Sequence, residues 1–143
     1  MTGAVLVSRR IRASAERLFD AWLDPVALAV WMRRPGDGTP VVVAEPRVGG
    51  GFSITMSGPT GDVVHLGDYL RIDRPHALDF TWRSEHTVGV DSVVHVTFTP
   101  DDDATLVAVR HELLPDEESA GKHRAGWTEI LDRYAHTYGE EAA

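Results

Sequence analysis

The chain has 143 residues, of which 43% are hydrophobic and 25% charged, and its formal net charge at pH 7 is -8. This length and composition are typical of one globular domain, so we expect residues 1–143 to form a single domain around one core. The negative charge makes nucleic acid and anionic membranes poor partners, because both would be repelled on average.

The sequence contains no cysteine, which excludes disulfides, thiolate metal sites and cysteine nucleophiles. The seven histidines form none of the spaced pairs typical of metal sites, so we expect no metal and no cofactor. No segment reaches the roughly 20 apolar residues of a membrane span. Residues 1–12 lack the apolar core of about 7–15 residues that a signal peptide needs. We therefore expect a cytoplasmic protein.

The N-terminal third of the sequence predicts one strand followed by two short helices. Residues 4–11 show the alternation of a strand with one wetter face. Ser14 is a helix-capping residue type, and the apolar stripe after it includes Trp22. Pro25 ends this helix and suits the first turn of a second helix, which ends at residues 33–36.

Six further strands and one long helix are predicted after the short helices. The connections between these strands are too brief for helical crossovers, so neighbouring strands should pair antiparallel. Residues 120–138 carry aromatic and apolar side chains every three or four positions, which predicts an amphipathic helix about 28 Å long. Gly139 is expected to end this helix in a left-handed conformation. The strands are expected over residues 41–45, 52–56, 63–72, 78–83, 93–99 and 105–113.

The order of these elements predicts an α+β helix-grip fold, in which a curved antiparallel sheet wraps around the long C-terminal helix. Only that helix is long enough to cover the concave face. Alternation places Phe52, Phe80 and Trp82 on the covered face and leaves Asp79 and His95 on the opposite, wet face. Rigid rings that do not pack closely can leave a cavity, although such a stripe is also typical of plain core.

His111 is the polar exception on the inward face. A histidine there can orient a ligand carbonyl or act as an acid or base, or it can be satisfied by a backbone group or a nearby tyrosine. The hydroxyls of Tyr69 and Tyr134 can likewise face a cavity or simply reach water. Ser92 has no base placed beside it by sequence and no catalytic motif around it, so no catalytic residue is predicted.

Motifs along nearly the whole chain, from about residue 5 to 138, follow the order of one bacterial family. They occupy residues 13–22, 49–52, 67–70, 78–82 and 94–100, and end in the helix that contains Gly126 and Trp127. They resemble bacterial proteins related to the C-terminal domain of the heat-shock-protein-90 ATPase activator. The resemblance implies the START-like, Bet v-like superfamily, also called SRPBCC, whose members hold hydrophobic ligands between sheet and long helix. It implies no shared catalytic residue.

Three functional hypotheses follow. The first is a non-enzymatic binder of a small hydrophobic or aromatic ligand in a cavity between the sheet and the C-terminal helix. The second is a cyclase, dehydratase or hydrolase that uses His111 and a tyrosine in the same cavity. The third is a stress-response protein that stimulates a chaperone ATPase through its surface, although the sequence shows no exposed contact patch. The predicted ligand-binding residues are Trp31, Phe52, Ile54, Met56, Tyr69, Phe80, Trp82, Val94, Val96, Val109, His111, Trp127, Ile130 and Tyr134.

The sequence also leaves a homodimer open. The first strand, residues 4–11, could pair with a second copy at the edge of the sheet. Arg9, Arg10 and Arg12 are charges of the kind that discourage such pairing.

Overall fold

The computed structural model describes residues 4–139, which fold into one curved antiparallel sheet with helices on its concave face. In chain order the elements are β1 (Val5–Ile11), α1 (Ala15–Asp20), α2 (Pro25–Trp31), β2 (Val41–Ala44), β3 (Gly51–Gly58), β4 (Gly61–Asp73), β5 (Ala77–Trp82), a 3₁₀ helix (Glu85–Thr87), β6 (Ser92–Asp101), β7 (Ala104–Glu112) and α3 (Glu117–Tyr138). The seven strands lie in the order β1-β7-β6-β5-β4-β3-β2, and every neighbouring pair is antiparallel. The predicted α+β helix-grip fold is confirmed.

The two short helices begin where their capping residues predict. The Ser14 side chain accepts a hydrogen bond from the backbone N–H of Arg17, and the Asp24 side chain accepts one from Val26. Pro25 occupies the first turn of α2, where its missing N–H leaves no helical bond unmade. Both helices are short, so their positions depend on the side chains that they bury against the core.

The long helix α3 is capped by Asp116, which accepts a hydrogen bond from the backbone N–H of Ser119 at 2.8 Å. Its 22 residues span about 33 Å, enough to cross the sheet. The prediction for Gly139 is wrong, because this residue is extended, with φ -67° and ψ 139°. Glycine is favoured there by a close approach instead, since a Cβ atom would lie 2.5 Å from the carbonyl oxygen of Ala135.

Two local features have no counterpart among the predicted elements. The 3₁₀ helix Glu85–Thr87 is too short to show a periodicity, and it is held by Ser84, whose hydroxyl accepts from His86 N–H. Strand β4 has an irregular register between Tyr69 and Arg71 where it pairs with β5. Such bulges bend a strand and increase the local twist, which adds to the curvature of the sheet.

The core lies between the concave face of the sheet and the three helices. Alternating strand residues point into it as predicted, and α3 contributes Trp127, Leu131 and Tyr134 to the same cluster. Among the helices of residues 4–139, none is both long and apolar enough to cross a membrane. The buried strand residues include Phe52, Ile54, Leu78, Phe80, Trp82, Val94, Val96, Phe98, Val107, Val109 and His111.

Candidate functional site

Aromatic rings from the sheet, from α3 and from the segment after α1 meet over the concave face. Phe52 and Phe80 are nearly perpendicular, with ring centroids 5.4 Å apart. Trp82 of β5 packs on Trp127 of α3 at 5.3 Å, and Trp22 lies 6.0 Å from the same indole. These separations lie in the range of favourable aromatic pairs. The rings therefore fill most of the space that the sequence analysis assigned to a cavity.

A gap of about 20 Å³ remains between the short helices and strands β3 to β5. A space of this size holds one water molecule. Phe52 reaches its wall because Gly67 lies opposite in register, where any Cβ atom would overlap the phenyl ring. None of the described residues that line the gap is charged. They are Trp22, Leu28, Met32, Phe52, Ile54, Tyr69, Leu78, Phe80 and Trp82.

Two buried donors belong to this lining. The indole N–H groups of Trp22 and Trp82 have no hydrogen-bond partner within residues 4–139. Both residues are only 3% exposed, and a buried polar group without a partner costs about 1–3 kcal/mol. The third polar group is the Tyr69 hydroxyl, whose pKa is raised to about 12 by burial, so it stays protonated. The gap therefore has an almost wholly apolar wall, and the unpaired donors are buried within two of the side chains that form it.

Tyr134, which lies beside Trp22, has its own acceptor. Its hydroxyl donates to the backbone oxygen of Leu18 at 2.5 Å, and burial holds its pKa well above the ordinary value. The nearby Trp22 indole offsets part of that rise, but it does not meet the geometry of a hydrogen bond to the hydroxyl. Tyr134 is therefore part of the packed core, and neither a cavity nor water provides its hydrogen-bond partner.

His111 is fully buried and has partners on both ring nitrogens. Trp127 Nε1 donates to His111 Nδ1 at 3.0 Å, so the ring proton resides on Nε2 and is donated to Ser92 Oγ at 2.6 Å. The Ser92 hydroxyl in turn donates to the backbone oxygen of Trp82. Burial, with a smaller contribution from His123, lowers the pKa of His111 to about 3. Of the two interpretations left open, a satisfied core histidine describes this residue, with tryptophan and serine as its partners.

The Ser92–His111 pair has the spacing of a nucleophile and its base but lacks the required proton arrangement. A base must present a lone pair to the serine, and a third group normally accepts a proton from the other ring nitrogen. Here Trp127 is a donor to that nitrogen. Both Ser92 and His111 are also 0% exposed. The pair joins β6, β7 and α3 and does not activate the serine.

Further histidines surround the same end of the sheet. The His65 ring stacks on Trp82 with centroids 4.7 Å apart, and its Nδ1 has no partner within residues 4–139. His123 of α3 donates from Nδ1 to the backbone oxygen of Ser119 and lies 4.7 Å from the His111 ring. Burial lowers the pKa of both, that of His65 to about 4. No three His, Asp or Glu side chains of the described chain are placed to hold a metal ion.

On the convex face, His95 lies between two carboxylates. Its Nδ1 is 2.9 Å from Asp79 and its Nε2 is 3.0 Å from Glu112. Partial burial opposes the charged form, but the two hydrogen bonds outweigh it and raise the pKa of His95. The bond from His95 lowers the pKa of Glu112. This group links β5, β6 and β7 on the face that alternation predicts to be wet.

Comparison with known proteins identifies the family. The family model described as Activator of Hsp90 ATPase homolog 1-like protein matches residues 12–139. The chain belongs to this family. This confirms the resemblance that the sequence motifs indicate. No curated protein sequence matches the chain.

Solved structures show the same fold at low identity. Protein CV1439 from Chromobacterium violaceum superposes with a TM-score of 0.83 at 23% identity, covering 98% of this chain and 100% of its own. MLL2253 from Mesorhizobium loti superposes with a TM-score of 0.78 at 24% identity, covering 94% of this chain and 95% of its own. CalU16 from Micromonospora echinospora superposes with a TM-score of 0.71 at 24% identity, covering 91% of this chain and 72% of its own. These likenesses concern the fold alone.

Within this family fold, the predicted ligand-binding residues divide between the gap and the surrounding core. Seven of the others are fully buried in the packed core, and two are half-buried at its margin. The residues at the gap are Phe52, Ile54, Tyr69, Phe80 and Trp82. The buried residues away from the gap are Trp31, Val94, Val96, Val109, His111, Trp127 and Tyr134, and the half-buried ones are Met56 and Ile130.

Four residues of the gap were absent from the predicted site: Trp22, Leu28, Met32 and Leu78. Leu28 and Met32 are four positions apart and therefore share one face of α2. That spacing was visible in the sequence and marks α2 as a helix with an apolar face. The sequence predicts that the C-terminal helix alone covers the concave face, so Trp31 was the only residue of the short helices in the predicted site.

Proposed function

We propose that this protein binds a small hydrophobic or aromatic ligand on the concave face of the sheet, between α2 and strands β3 to β5, without transforming it. The observation that supports the proposal is the gap itself, whose uncharged aromatic and aliphatic wall includes Trp22 and Trp82, two residues with buried N–H groups that lack partners. Apolar pockets with a few polar groups are typical of small-molecule sites. Membership of the START-like superfamily favours the same interpretation.

A ligand larger than water requires the gap to widen. The side of the gap best suited to yield is α2, which has only seven residues and supplies Leu28 to the lining, together with its C-capping residue Met32. Methionine has three rotatable bonds and adapts to irregular spaces. The ligand displaces these two side chains outward, and the strands of the sheet keep their positions.

The chemistry of the lining favours binding over catalysis. Tyr69 is the one titratable side chain among the described residues of the gap, and its raised pKa keeps the hydroxyl protonated, so it cannot act as a base near neutral pH. His111 holds its proton toward Ser92 and lies outside the lining. The site therefore offers apolar contact and hydrogen bonds to a ligand, with no general base beside it.

The test uses indane, a bicyclic hydrocarbon, as a probe and a pair of variants on one helix. Leu28→Phe places a larger ring at the gap and should weaken indane binding at least several-fold. Val26→Phe changes the outer face of the same helix, where Val26 is 75% exposed, and should leave binding unchanged. Binding is measured by chemical-shift titration, alongside native mass spectrometry for any molecule retained during purification. Equal binding by the two variants would refute the proposal, as would the absence of a retained mass together with failure of indane and of polar probes of the same shape.

A further inference from the structure

We infer that the ligand is uncharged and carries a hydrogen-bond acceptor, such as a carbonyl oxygen, that the indole N–H of Trp82 binds. This inference rests on the proposed function and specifies the chemical class of its ligand. It begins from a difference among the four tryptophans, all of which are buried.

Two of the tryptophans have acceptors for their N–H groups and two do not. Trp31 donates to the backbone oxygen of Ala21 at 3.1 Å, and Trp127 donates to His111. Trp22 and Trp82 have no partner within residues 4–139, and both line the gap. Buried donors are nearly always paired in native proteins. Both exceptions therefore belong to residues of the gap, and because their nitrogens are buried, a ligand supplies the missing acceptor only once it has widened the gap.

Trp82 is the better placed of the two donors. The Trp22 indole has the Tyr134 hydroxyl beside it, whereas Trp82 has an unpartnered neighbour of its own. The His65 ring stacks on Trp82, is 7% exposed, and leaves Nδ1 without a partner in the described chain. Three unpaired ring nitrogens thus lie on residues at or next to one apolar gap, which favours a ligand with polar atoms over a pure hydrocarbon.

The charge of the ligand follows from what surrounds the gap. An anion buried there would meet no cationic side chain of the lining, and His65 stays neutral near pH 7 because burial lowers its pKa. An aromatic cage also suits a cation, but a cation offers no lone pair to an N–H donor and would find no carboxylate in the lining. A neutral acceptor is the chemistry that fits both the donors and the apolar wall.

Three probes of one shape separate these classes: indane, 1-indanone, which adds a carbonyl, and 2-aminoindane, which adds a positive charge. We expect 1-indanone to bind about 5- to 30-fold more tightly than indane, the gain of one hydrogen bond to a previously unpaired donor. In a 15N-labelled sample the indole N–H signal of Trp82 should move downfield with 1-indanone. The signals of Trp31 and Trp127, whose N–H groups already have acceptors, serve as internal controls.

The variant Trp82→Phe keeps an aromatic ring and removes the donor, so the ratio of indane to 1-indanone dissociation constants should fall close to one. The indole shifts in the unmodified protein test the same contact without a mutation. Equal affinity for indane and 1-indanone, tighter binding of 2-aminoindane, or an unchanged ratio in Trp82→Phe would overturn the inference while indane binding preserves the proposed function. Failure of all three probes, with no retained mass, would refute the proposed function itself.

Discussion

Replacing Trp127 by Phe should destabilise the protein through one hydrogen bond. Trp127 Nε1 donates to His111 Nδ1 at 3.0 Å, and the histidine is 0% exposed. The phenyl ring cannot donate, so His111 Nδ1 becomes a buried acceptor without a partner. His111 cannot compensate by taking up a second proton, because burial keeps its pKa far below neutrality, at about 3.

The expected loss combines two contributions. Leaving the Nδ1 acceptor unsatisfied costs about 1–3 kcal/mol. The smaller ring of the variant removes buried apolar atoms, which costs roughly 1 kcal/mol more at about 0.8 kcal/mol per carbon group. We therefore expect Trp127→Phe to lower the free energy of unfolding by about 2–4 kcal/mol. Domains have about 5–15 kcal/mol of stability, so the variant should still fold.

Urea unfolding followed by circular dichroism measures this loss, and Trp82→Phe is the matched control. It makes the same ring substitution in the same aromatic layer, but the Trp82 N–H has no protein partner to lose. Removing an unpaired donor offsets the lost ring atoms, so this variant should stay within about 1 kcal/mol of the parent protein. Equal destabilisation by the two substitutions would refute the hydrogen-bond argument, since it would reduce both effects to ring size.

Three further outcomes are expected. Burial lowers the pKa of His65 to about 4, so the folded protein loses stability as the pH falls from the unfolded value of 6.5 toward 4. His65→Phe removes this titration and should reduce the loss of unfolding free energy by up to about 1.4 kcal/mol per pH unit. An unchanged dependence of the unfolding free energy on pH between pH 7 and 5 would contradict this. The pKa of His95 is raised, so its ion pairs with Asp79 and Glu112 stabilise the protein fully below the unfolded pKa and are lost as the pH rises through the folded pKa. His95→Gln should therefore lower the free energy of unfolding, measured in urea, more at pH 6 than at pH 8.5. Gly67→Ala should cost about 1–3 kcal/mol because the new methyl overlaps both the backbone oxygen of Thr81 and the Phe52 ring, and a melting temperature equal to that of the parent would contradict this close packing.

The sequence predicted the architecture well because its determinants are local. Ser14 and Asp116 are capping residues that act on the turn beside them, and alternation along each strand decides which face is buried. The errors and omissions concern close approaches in three dimensions. Glycine suits position 139 because a Cβ atom there would approach the backbone oxygen of Ala135, and the 3₁₀ helix after Ser84 is too short to show a periodicity.

The candidate site was predicted in part for the same reason. Strand alternation found Phe52 and Trp82, since an inward-facing residue is defined by its own strand. Leu28 and Met32 reach the gap through the way α2 packs across the sheet, which depends on the whole core. The partners of His111 were also out of reach, because Ser92 and Trp127 are distant in sequence and meet only when β6 and α3 are in place.

What distinguishes the gap from the rest of the core is its unpaired polar atoms, because aromatic apolar packing extends across the whole concave face. Around His111 every donor is used: Trp127 donates to His111, His111 donates to Ser92, and Ser92 donates to a backbone oxygen. A few ångströms away in the same layer, Trp82 makes ring contacts with its neighbours and donates to none of them. Phenylalanine would provide similar packing there without the cost of a buried N–H. The stability of the fold alone does not require tryptophan at position 82, and under the proposed function a ligand would supply the acceptor that this N–H group lacks.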